Sequence, residues 1–293
     1  MNNATGQTSG LLHLTHAEIK KKISHQSLFG LDDIQERLFV LCREMLTANS
    51  KRLQDFSLYD LMPSILLYGP PNTGKTTLSY LLFDRIKKEV TNEINLYTVD
   101  IGKMLDPSLG QSSRNLGQIF EHLRKVSQDG SSVLLLLDEL DTFCMSRNRS
   151  YEHDAIRRAM TTLMVELDKL HPSVTTKVLI IGITNVPELV DTAVVRRFSL
   201  KMSISPILDF EQFQNYLIYL NQSIKYEFQL NTLEKLYEVY KRRQFAVGDI
   251  KALYKELYVD LMYNENKSFS DDYFFQLFES AFSTQEHLSK THN

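Results

Sequence analysis

One short stretch of the chain carries most of the information about its architecture: Ser64-Ile-Leu-Leu-Tyr-Gly-Pro-Pro-Asn-Thr-Gly-Lys-Thr76. Its first five residues are an apolar run that predicts a buried strand, and a helical pattern follows over residues 76–88. The loop between them has the spacing GxxxxGK[ST]. A strand that leads into such a loop and a helix that leaves it are the structural context that this motif requires.

The residue types of this loop suit phosphate groups. Gly69 and Gly74 permit a tight turn whose backbone N–H groups face inward, and the N-terminus of the following helix adds its positive end. The Lys75 ammonium can reach the β- and γ-phosphates of a nucleotide, and the Thr76 hydroxyl can complete the coordination of Mg²⁺. The sequence therefore predicts that residues 69–76 bind a nucleotide together with Mg²⁺.

Two further apolar runs end in polar residues. The run 133–137 leads to Asp138 and Glu139, two carboxylates that are costly to bury unless a cation or hydrogen bonds compensate them. We predict that Asp138 binds Mg²⁺, directly or indirectly, and that Glu139 orients and polarises the attacking water. The run 178–183 leads to Asn185, which we expect to hold the water or the γ-phosphate from the opposite side.

Two arginines, Arg196 and Arg197, follow the last of these runs. In a monomer they would be solvated or would pair with nearby acids. In a ring of subunits they would point into the neighbour's nucleotide site, where an arginine supplied in trans is worth about 10³- to 10⁵-fold in rate. From the sequence, both interpretations stay open.

Strand-like and helical patterns alternate as far as residue 205, which predicts an α/β domain with a mostly parallel sheet covered by helices. Beyond Pro206 the strand-like runs stop, and helical patterns follow over residues 210–220, 230–241, 247–263 and 270–282. The first residues are rich in Asn, Thr, Gly and Ser. We therefore expect a flexible N-terminal tail over residues 1–26, the α/β domain over 27–205 and a small helical domain over 206–293.

Composition narrows the functional classes. The 293 residues include 33 Lys and Arg against 36 Asp and Glu, a formal net charge of −3, so no global positive field attracts a nucleic-acid backbone. Cys42 and Cys144 lie in no zinc or disulfide motif. No apolar run approaches the roughly 20 residues that span a bilayer. We expect a cytoplasmic protein whose partner is neither a membrane nor a nucleic acid.

Together these motifs resemble the AAA+ ATPases over about residues 27–282. The loop 69–76 resembles Walker A, residues 134–139 resemble Walker B, Thr184-Asn185 resembles sensor 1, and Arg196-Arg197-Phe198 resembles the arginine-finger element. The resemblance implies a P-loop AAA+ parallel sheet sandwiched by helices, with a small C-terminal helical lid. It also implies ATP hydrolysis with Mg²⁺ by a homo-oligomeric ring, a hexamer.

The resemblance extends the set of expected site residues. Residues 29–33 resemble the family's adenine-contacting segment, and residues 246–250 match the lid position that faces the nucleotide. The expected nucleotide-binding residues are Phe29, Gly30, Gly69, Pro70, Pro71, Asn72, Thr73, Gly74, Lys75, Thr76, Thr77, Gly248 and Asp249. The expected metal ligands are Thr76 and Asp138, and the expected catalytic residues are Glu139, Asn185, Arg196 and Arg197.

Residues 152–170 resemble the corresponding helix of two groups, the microtubule-severing enzymes and the pachytene-checkpoint-type remodellers of HORMA-domain proteins. The compact chain is more similar to bacterial members of the second group, which are associated with HORMA proteins in anti-phage operons. The implied function is ATP-driven remodelling of a protein client, a HORMA-domain protein, in antiviral defence. The alternative is a nucleotide-gated DNA loader or adaptor that uses ATP as an assembly switch.

Two positions depart from the family pattern. Ser108 stands where the central-pore loop has an aromatic residue, which leaves Leu109 as the apolar contact. Asp249 stands where pachytene-type members carry an arginine that faces the γ-phosphate. Arg242 or Arg243 would substitute for that arginine only if the lid bends suitably.

Overall fold

The structure is a computed structural model that describes residues 9–90, 93–104, 110–141, 150–175, 177–205, 207–263 and 269–291. The chain divides into two compact units. Unit 1 comprises Met1–Gln26, Ile34–Tyr68 and Lys75–Ser203, and unit 2 comprises Ser27–Asp33, Gly69–Gly74 and Ile204–Asn293. The segments 27–33 and 69–74 therefore group with the C-terminal helices, although they precede residue 206 in the chain.

Within the described residues, six strands form one sheet in unit 1. They are β1 Leu11–Leu14, β2 Ser64–Tyr68, β3 Ile94–Val99, β4 Ser132–Leu137, β5 Val178–Thr184 and β6 Leu200–Ser203. Their order is β1-β3-β4-β5-β2-β6; β1 pairs antiparallel with β3, and all other neighbours are parallel. Parallel pairing places the carboxyl ends of β2, β4 and β5 at one edge of the sheet, where ligands of open α/β sheets bind.

Helices cover this sheet. They are α1 His16–Ile23, α2 Asp32–Thr47, α3 Ser50–Leu58, α4 Lys75–Glu89, α5 Ile101–Met104, α6 Gln111–Gln128, α7 Ser150–Asp168 and α8 Thr192–Arg197. Helix α6 shows why they pack as they do, since Leu116, Ile119 and Leu123 recur at helical spacing and are buried in the same core as β4. Strands β4 and β5 are buried along their whole length, as strands covered on both faces must be. The predicted α/β fold class is confirmed.

Residues 9–26 correct the expectation of an N-terminal tail. Strand β1 adds to the sheet by pairing with β3, and α1 packs against α4. Ile19 of α1 is fully buried. Helix α1 begins with a capping box, in which the Thr15 side chain accepts from the Glu18 N–H and the Glu18 side chain accepts from the Thr15 N–H. A four-residue strand has too little alternation to be recognised from its own residues, because its partner strand defines it.

Unit 2 contains the C-terminal helices. They are α9 Phe210–Asn221, α10 Leu230–Arg242, α11 Val247–Tyr263, α12 Asp271–Ser280 and α13 Thr284–Thr291. Their shared core includes the fully buried rings of Phe213, Phe274 and Phe278, so two aromatic residues of α12 pack inside this unit. The helical pattern expected over 270–282 ends at Ser280, because Ala281 is extended, and α13 starts separately. Of the helices described in either unit, none is long and apolar enough to cross a membrane.

Gly182 in the middle of β5 has no room for a side chain. A methyl group there would lie 2.6 Å from the Phe198 ring and 2.7 Å from Leu140, and both of those side chains are fully buried. We expect Gly182→Ala to lower the free energy of unfolding by about 1–3 kcal/mol through overpacking. Urea denaturation followed by circular dichroism measures this change.

Gly117 in α6 offers the matched control. A methyl group at Gly117 meets nothing within 4 Å, and alanine is better than glycine in a helix by about 1 kcal/mol. Gly117→Ala should therefore unfold at the same urea concentration as the wild type, or at a higher one. Equal stability of the two variants would contradict the close packing around Gly182.

Candidate active site

The loop between β2 and α4 has a backbone that few residues can adopt. Gly69 has φ 144°, Gly74 has φ 88° and Asn72 has φ 63°, all in the left-handed region that favours glycine and, to a lesser degree, asparagine. A Cβ on Gly69 would lie 2.4 Å from the carbonyl oxygen of Ile204. The Thr73 hydroxyl donates to the Pro70 carbonyl at 2.9 Å and closes the turn that contains Pro70 and Pro71. The expected glycines are thus required by the turn itself.

Lys75 and Thr76, the next residues in the chain, begin α4 in unit 1. The Thr76 hydroxyl donates to Asp138 Oδ2 at 2.7 Å, and Asp138 Oδ1 accepts from the Glu139 N–H at 2.9 Å. The structure therefore brings together the two residues that we predicted as metal ligands. Thr77 lies in the same helical turn and is half-buried.

Lys75 is only 4% exposed, and burial lowers the pKa of its ammonium to about 8, while the charges of Asp138 and Asp141 act in the opposite direction. Asp141 was not among the predicted site residues, although it stands three positions after Asp138. It is 7% exposed, and its Oδ1 has no hydrogen-bond partner in the described part of the chain. A third acid after the strand was the signal that could have identified it.

This donor set fits a nucleotide with Mg²⁺. A hydroxyl and a carboxylate in contact are oxygen ligands of the kind that Mg²⁺ takes, and a buried ammonium suits a polyphosphate. At Gly69 and Gly74 a side chain would collide with Ile204 and Leu28, so the loop keeps the two glycines of the motif. We infer that Thr76 and Asp138 would hold the metal ion and that Lys75 would contact the phosphates.

Glu139 follows β4 in a strained conformation. Its φ is 54°, in the left-handed region, which costs a non-glycine residue about 1–3 kcal/mol and occurs most often at functional sites. The residue is exposed, and the hydrogen bond from its N–H to Asp138 fixes the turn. The next residue, Leu140, is anchored by its N–H to the Ile183 carbonyl of β5. Asn185, immediately after β5, is half-buried.

The two neighbouring arginines have different environments. Arg197 is bonded within its own unit, because its Nε donates to the Asp168 carboxylate at 2.9 Å and its Nη1 donates to the Ala193 carbonyl at 2.9 Å. Arg196 is exposed at the end of α8. The two arginines cannot be told apart from the sequence. In the structure, Arg197 is hydrogen-bonded within its own subunit, whereas Arg196 is exposed.

The remaining expected nucleotide contacts lie in unit 2. The centroids of the Phe29 and Tyr216 rings lie 4.7 Å apart. Gly30 has φ 71°, and a Cβ added to it would lie 2.4 Å from the Leu208 side chain. The Gly248 N–H donates to the Asn72 carbonyl at 3.1 Å. Asp249 is 5% exposed and accepts hydrogen bonds from neighbouring residues of the same unit.

The lid arginines considered as γ-phosphate contacts are bonded within unit 2. Arg243 donates to the Glu286 carboxylate and to the carbonyls of Phe278 and Glu279, and Arg242 pairs with the Glu279 carboxylate. These bonds hold α10 to the C-terminal helices. The pore-loop expectations for Ser108 and Leu109 lie outside the described residues.

The lowered pKa of Lys75 predicts proton uptake on nucleotide binding. Bound phosphates would favour the charged ammonium and raise this pKa above its value of about 8 in the free protein. At pH 7 the Lys75 ammonium is already largely charged, so nucleotide binding takes up almost no proton. At about pH 8.5 binding must add a fraction of a proton to Lys75. The affinity for ADP therefore falls by up to about tenfold for each further pH unit. Calorimetric titration with ADP in two buffers of different ionisation enthalpy measures the uptake. Equal enthalpies in both buffers at pH 8.5 would contradict this prediction.

Comparisons with known proteins agree with this geometry. Residues 65–206 match the family model described as "ATPase family associated with various cellular activities (AAA)". Cell division protein C of Sulfolobus acidocaldarius is 29% identical over 245 residues, which cover 82% of this chain and 60% of that protein. A protein of Corynebacterium glutamicum described as "AAA ATPase forming ring-shaped complexes" is 27% identical over 189 residues, 62% of this chain and 35% of that protein.

Among solved structures, a chain from the HORMA:CdnC:Trip13 complex of E. coli MS115-1 aligns with a TM-score of 0.73. The alignment has 19% sequence identity and covers 94% of this chain and 96% of that chain, which shows a shared fold. The chain spans only 60% and 35% of the length of the two curated relatives. The phosphate loop (residues 69–76), both carboxylates after β4 and the paired arginines all lie within residues 65–206, the part of the chain that matches an ATPase domain of the AAA family.

Proposed function

We propose that this protein hydrolyses ATP within a ring of identical subunits, a hexamer, and uses the energy to remodel a protein client. The observation that carries the proposal is the contact of Thr76 with Asp138 beside the buried Lys75, at the carboxyl ends of β2 and β4. This arrangement has the ligands for Mg²⁺ and a cation for the phosphates. ATP and Mg²⁺ are accordingly the cofactors that we propose.

Each predicted site residue of unit 1 has a chemical role in this proposal. Lys75 neutralises phosphate oxygens as charge develops on them, and bound Mg²⁺ supplies further charge stabilisation. Glu139 orients the attacking water and accepts its proton, and the Asn185 amide holds the water or the γ-phosphate. The exposed Arg196 is the group that a subunit can offer to its neighbour, because Arg197 is already bonded to Asp168. The family's lid corresponds to residues 206–293.

Ring formation and the client rest on relatives. The Corynebacterium protein is described as forming ring-shaped complexes, which supports a ring here. The fold is shared with a chain from a complex that contains a HORMA protein and Trip13, which supports a HORMA-domain protein as the client. From the family resemblance of the motifs we further propose that the protein acts in a bacterial anti-phage signalling system in the cytoplasm.

The test measures the ATPase rate per subunit against protein concentration, with the mass determined in ATP. A shared site predicts that the rate per subunit rises with concentration as a ring-sized mass appears. A monomer that hydrolyses ATP as fast per site as the concentrated protein would overturn the ring.

The client is tested by adding a purified HORMA-domain protein to the assembled ring, with duplex DNA as the parallel addition. Stimulation by the HORMA protein alone supports the proposed client. Stimulation by DNA with a steep salt dependence would instead establish a DNA loader or adaptor.

A further inference from the structure

A polar cluster outside the predicted catalytic residues surrounds Asp249 in unit 2. Its Oδ2 accepts from the backbone N–H groups of Ala246 at 3.0 Å and of Thr284 at 3.2 Å. Its Oδ1 accepts from the Thr284 hydroxyl at 2.5 Å and from the Asn72 amide at 3.3 Å. A carboxylate that is 5% exposed is thus bonded to the start of α11, the start of α13 and the phosphate loop.

Asn72 closes this cluster from the phosphate loop. Its Nδ2 donates both to Asp249 and to the Thr284 hydroxyl, the latter at 3.2 Å, so the three side chains form a triangle of hydrogen bonds. Its carbonyl accepts from the Gly248 N–H at 3.1 Å. A Cβ on Gly248 would lie 2.7 Å from the Asn72 Cβ, so the backbone at Gly248 approaches the loop closely.

Helix α13 is itself held firmly at this position. The Ser283 hydroxyl donates to the Arg243 carbonyl at 2.7 Å and accepts from the Glu286 N–H, which caps the helix. Arg243 in turn donates to both oxygens of the Glu286 carboxylate. Thr284 therefore reaches Asn72 and Asp249 from an anchored helix end.

We propose that Thr284 and Asp249 are positioning residues that hold Asn72, and with it the phosphate loop, in the conformation that binds nucleotide. Asn72 has φ 63°, a conformation that the loop does not keep at low cost without support. The hydrogen-bond triangle provides that support. This inference rests on the proposed nucleotide site and assigns a role in it to the C-terminal helix α13.

The physical basis is preorganisation. A loop that is already ordered loses less conformational entropy when it binds its ligand, and removal of the restraint is expected to increase the dissociation rate. Asp249 in this arrangement acts through Asn72, which differs from the direct nucleotide contact expected from the sequence. Its four hydrogen bonds leave the carboxylate engaged within unit 2.

The experiment compares three substitutions in the full chain, each with a fluorescent ADP analogue as the probe. Thr284→Val keeps the shape but removes the hydroxyl, Thr284→Ser keeps the hydroxyl, and Asn72→Gly keeps the left-handed backbone but removes the amide. Thr232→Val is the matched control, because Thr232 also donates its hydroxyl to a carboxylate of unit 2, that of Asp271. The Kd, the dissociation rate and the melting temperature without nucleotide are measured for each.

We expect Thr284→Val and Asn72→Gly each to raise the Kd by about 3- to 10-fold, the loss expected for one hydrogen bond. Thr284→Ser should bind as the wild type does, and Thr232→Val should change the melting temperature without changing the Kd. Because both substitutions break the same triangle, the double variant should lose less affinity than the product of the single losses.

A Thr284→Val variant with the wild-type Kd would overturn the proposal, whatever its melting temperature. Independent, multiplicative losses at Asn72 and Thr284 would also overturn it. A wild-type protein that does not bind the ADP analogue would overturn the proposed function itself, so the two failures are distinguishable.

Discussion

Replacement of Glu139 by glutamine is expected to lower the rate of ATP hydrolysis by about 10²- to 10⁴-fold, while ATP still binds. The substitution keeps the size of the side chain but removes the carboxylate that orients water and accepts its proton. Binding is expected to persist because Lys75, Thr76 and the phosphate loop are unchanged. A glutamine at φ 54° carries a backbone strain similar to that of the glutamate, so the fold should be retained.

The measurement is single-turnover hydrolysis at saturating ATP, combined with equilibrium binding of ATP to the same preparation. Glu121→Gln provides the control, because Glu121 is an exposed residue of α6 that pairs with Lys125. The control should hydrolyse ATP at the wild-type rate. A Glu139→Gln variant within threefold of the wild type would remove Glu139 from the chemical step.

Replacement of Arg196 by alanine is expected to lower kcat by about 10³-fold or more in ring-sized assemblies, the effect of removing an arginine that acts in trans. The reason is the exposure of Arg196 at the end of α8. The matched comparison is Arg197→Ala. Arg197 is bonded to Asp168 and Ala193, so its removal should first lower stability, by about 1 kcal/mol or less for a partly exposed pair.

A mixing experiment separates action in trans from action within one subunit. Alone, the Arg196→Ala and Glu139→Gln proteins should each hydrolyse ATP at no more than about one hundredth of the wild-type rate. When the two are mixed, some interfaces join an intact Glu139 to an intact Arg196 of the adjacent subunit, so part of the activity should return. A mixture that stays inactive while it forms rings would show that Arg196 does not act across the interface.

The strand-loop-helix order around Lys75 could be predicted because its signals are local. Strand β2 is a continuous apolar run, the loop carries its glycines at fixed spacing, and α4 begins immediately after it. The same holds for β4 and Asp138, where a buried strand that ends in acids is visible in the sequence. Burial and periodicity are properties of neighbouring residues, so they can be recognised without the fold.

Other features depend on contacts between distant parts of the chain. Strand β1 exists because it pairs with β3, more than 80 residues away in sequence; for example, His13 lies opposite Tyr97. Arg196 and Arg197 look equivalent in the sequence. They differ in the structure because Asp168, 29 positions before Arg197, accepts a hydrogen bond from Arg197.

The hydrogen bonds that support the phosphate loop are the clearest example of a feature that the sequence alone does not reveal. Asn72 and Thr284 are 212 positions apart, and no pattern in either segment indicates their hydrogen bond. The amino-acid sequence was sufficient to predict which residues bind nucleotide and act in hydrolysis, because motif residues and strand patterns are local. Which side chains hold that chemistry in place depended on long-range packing, because hydrogen-bond partners are selected by the fold and not by their separation along the chain.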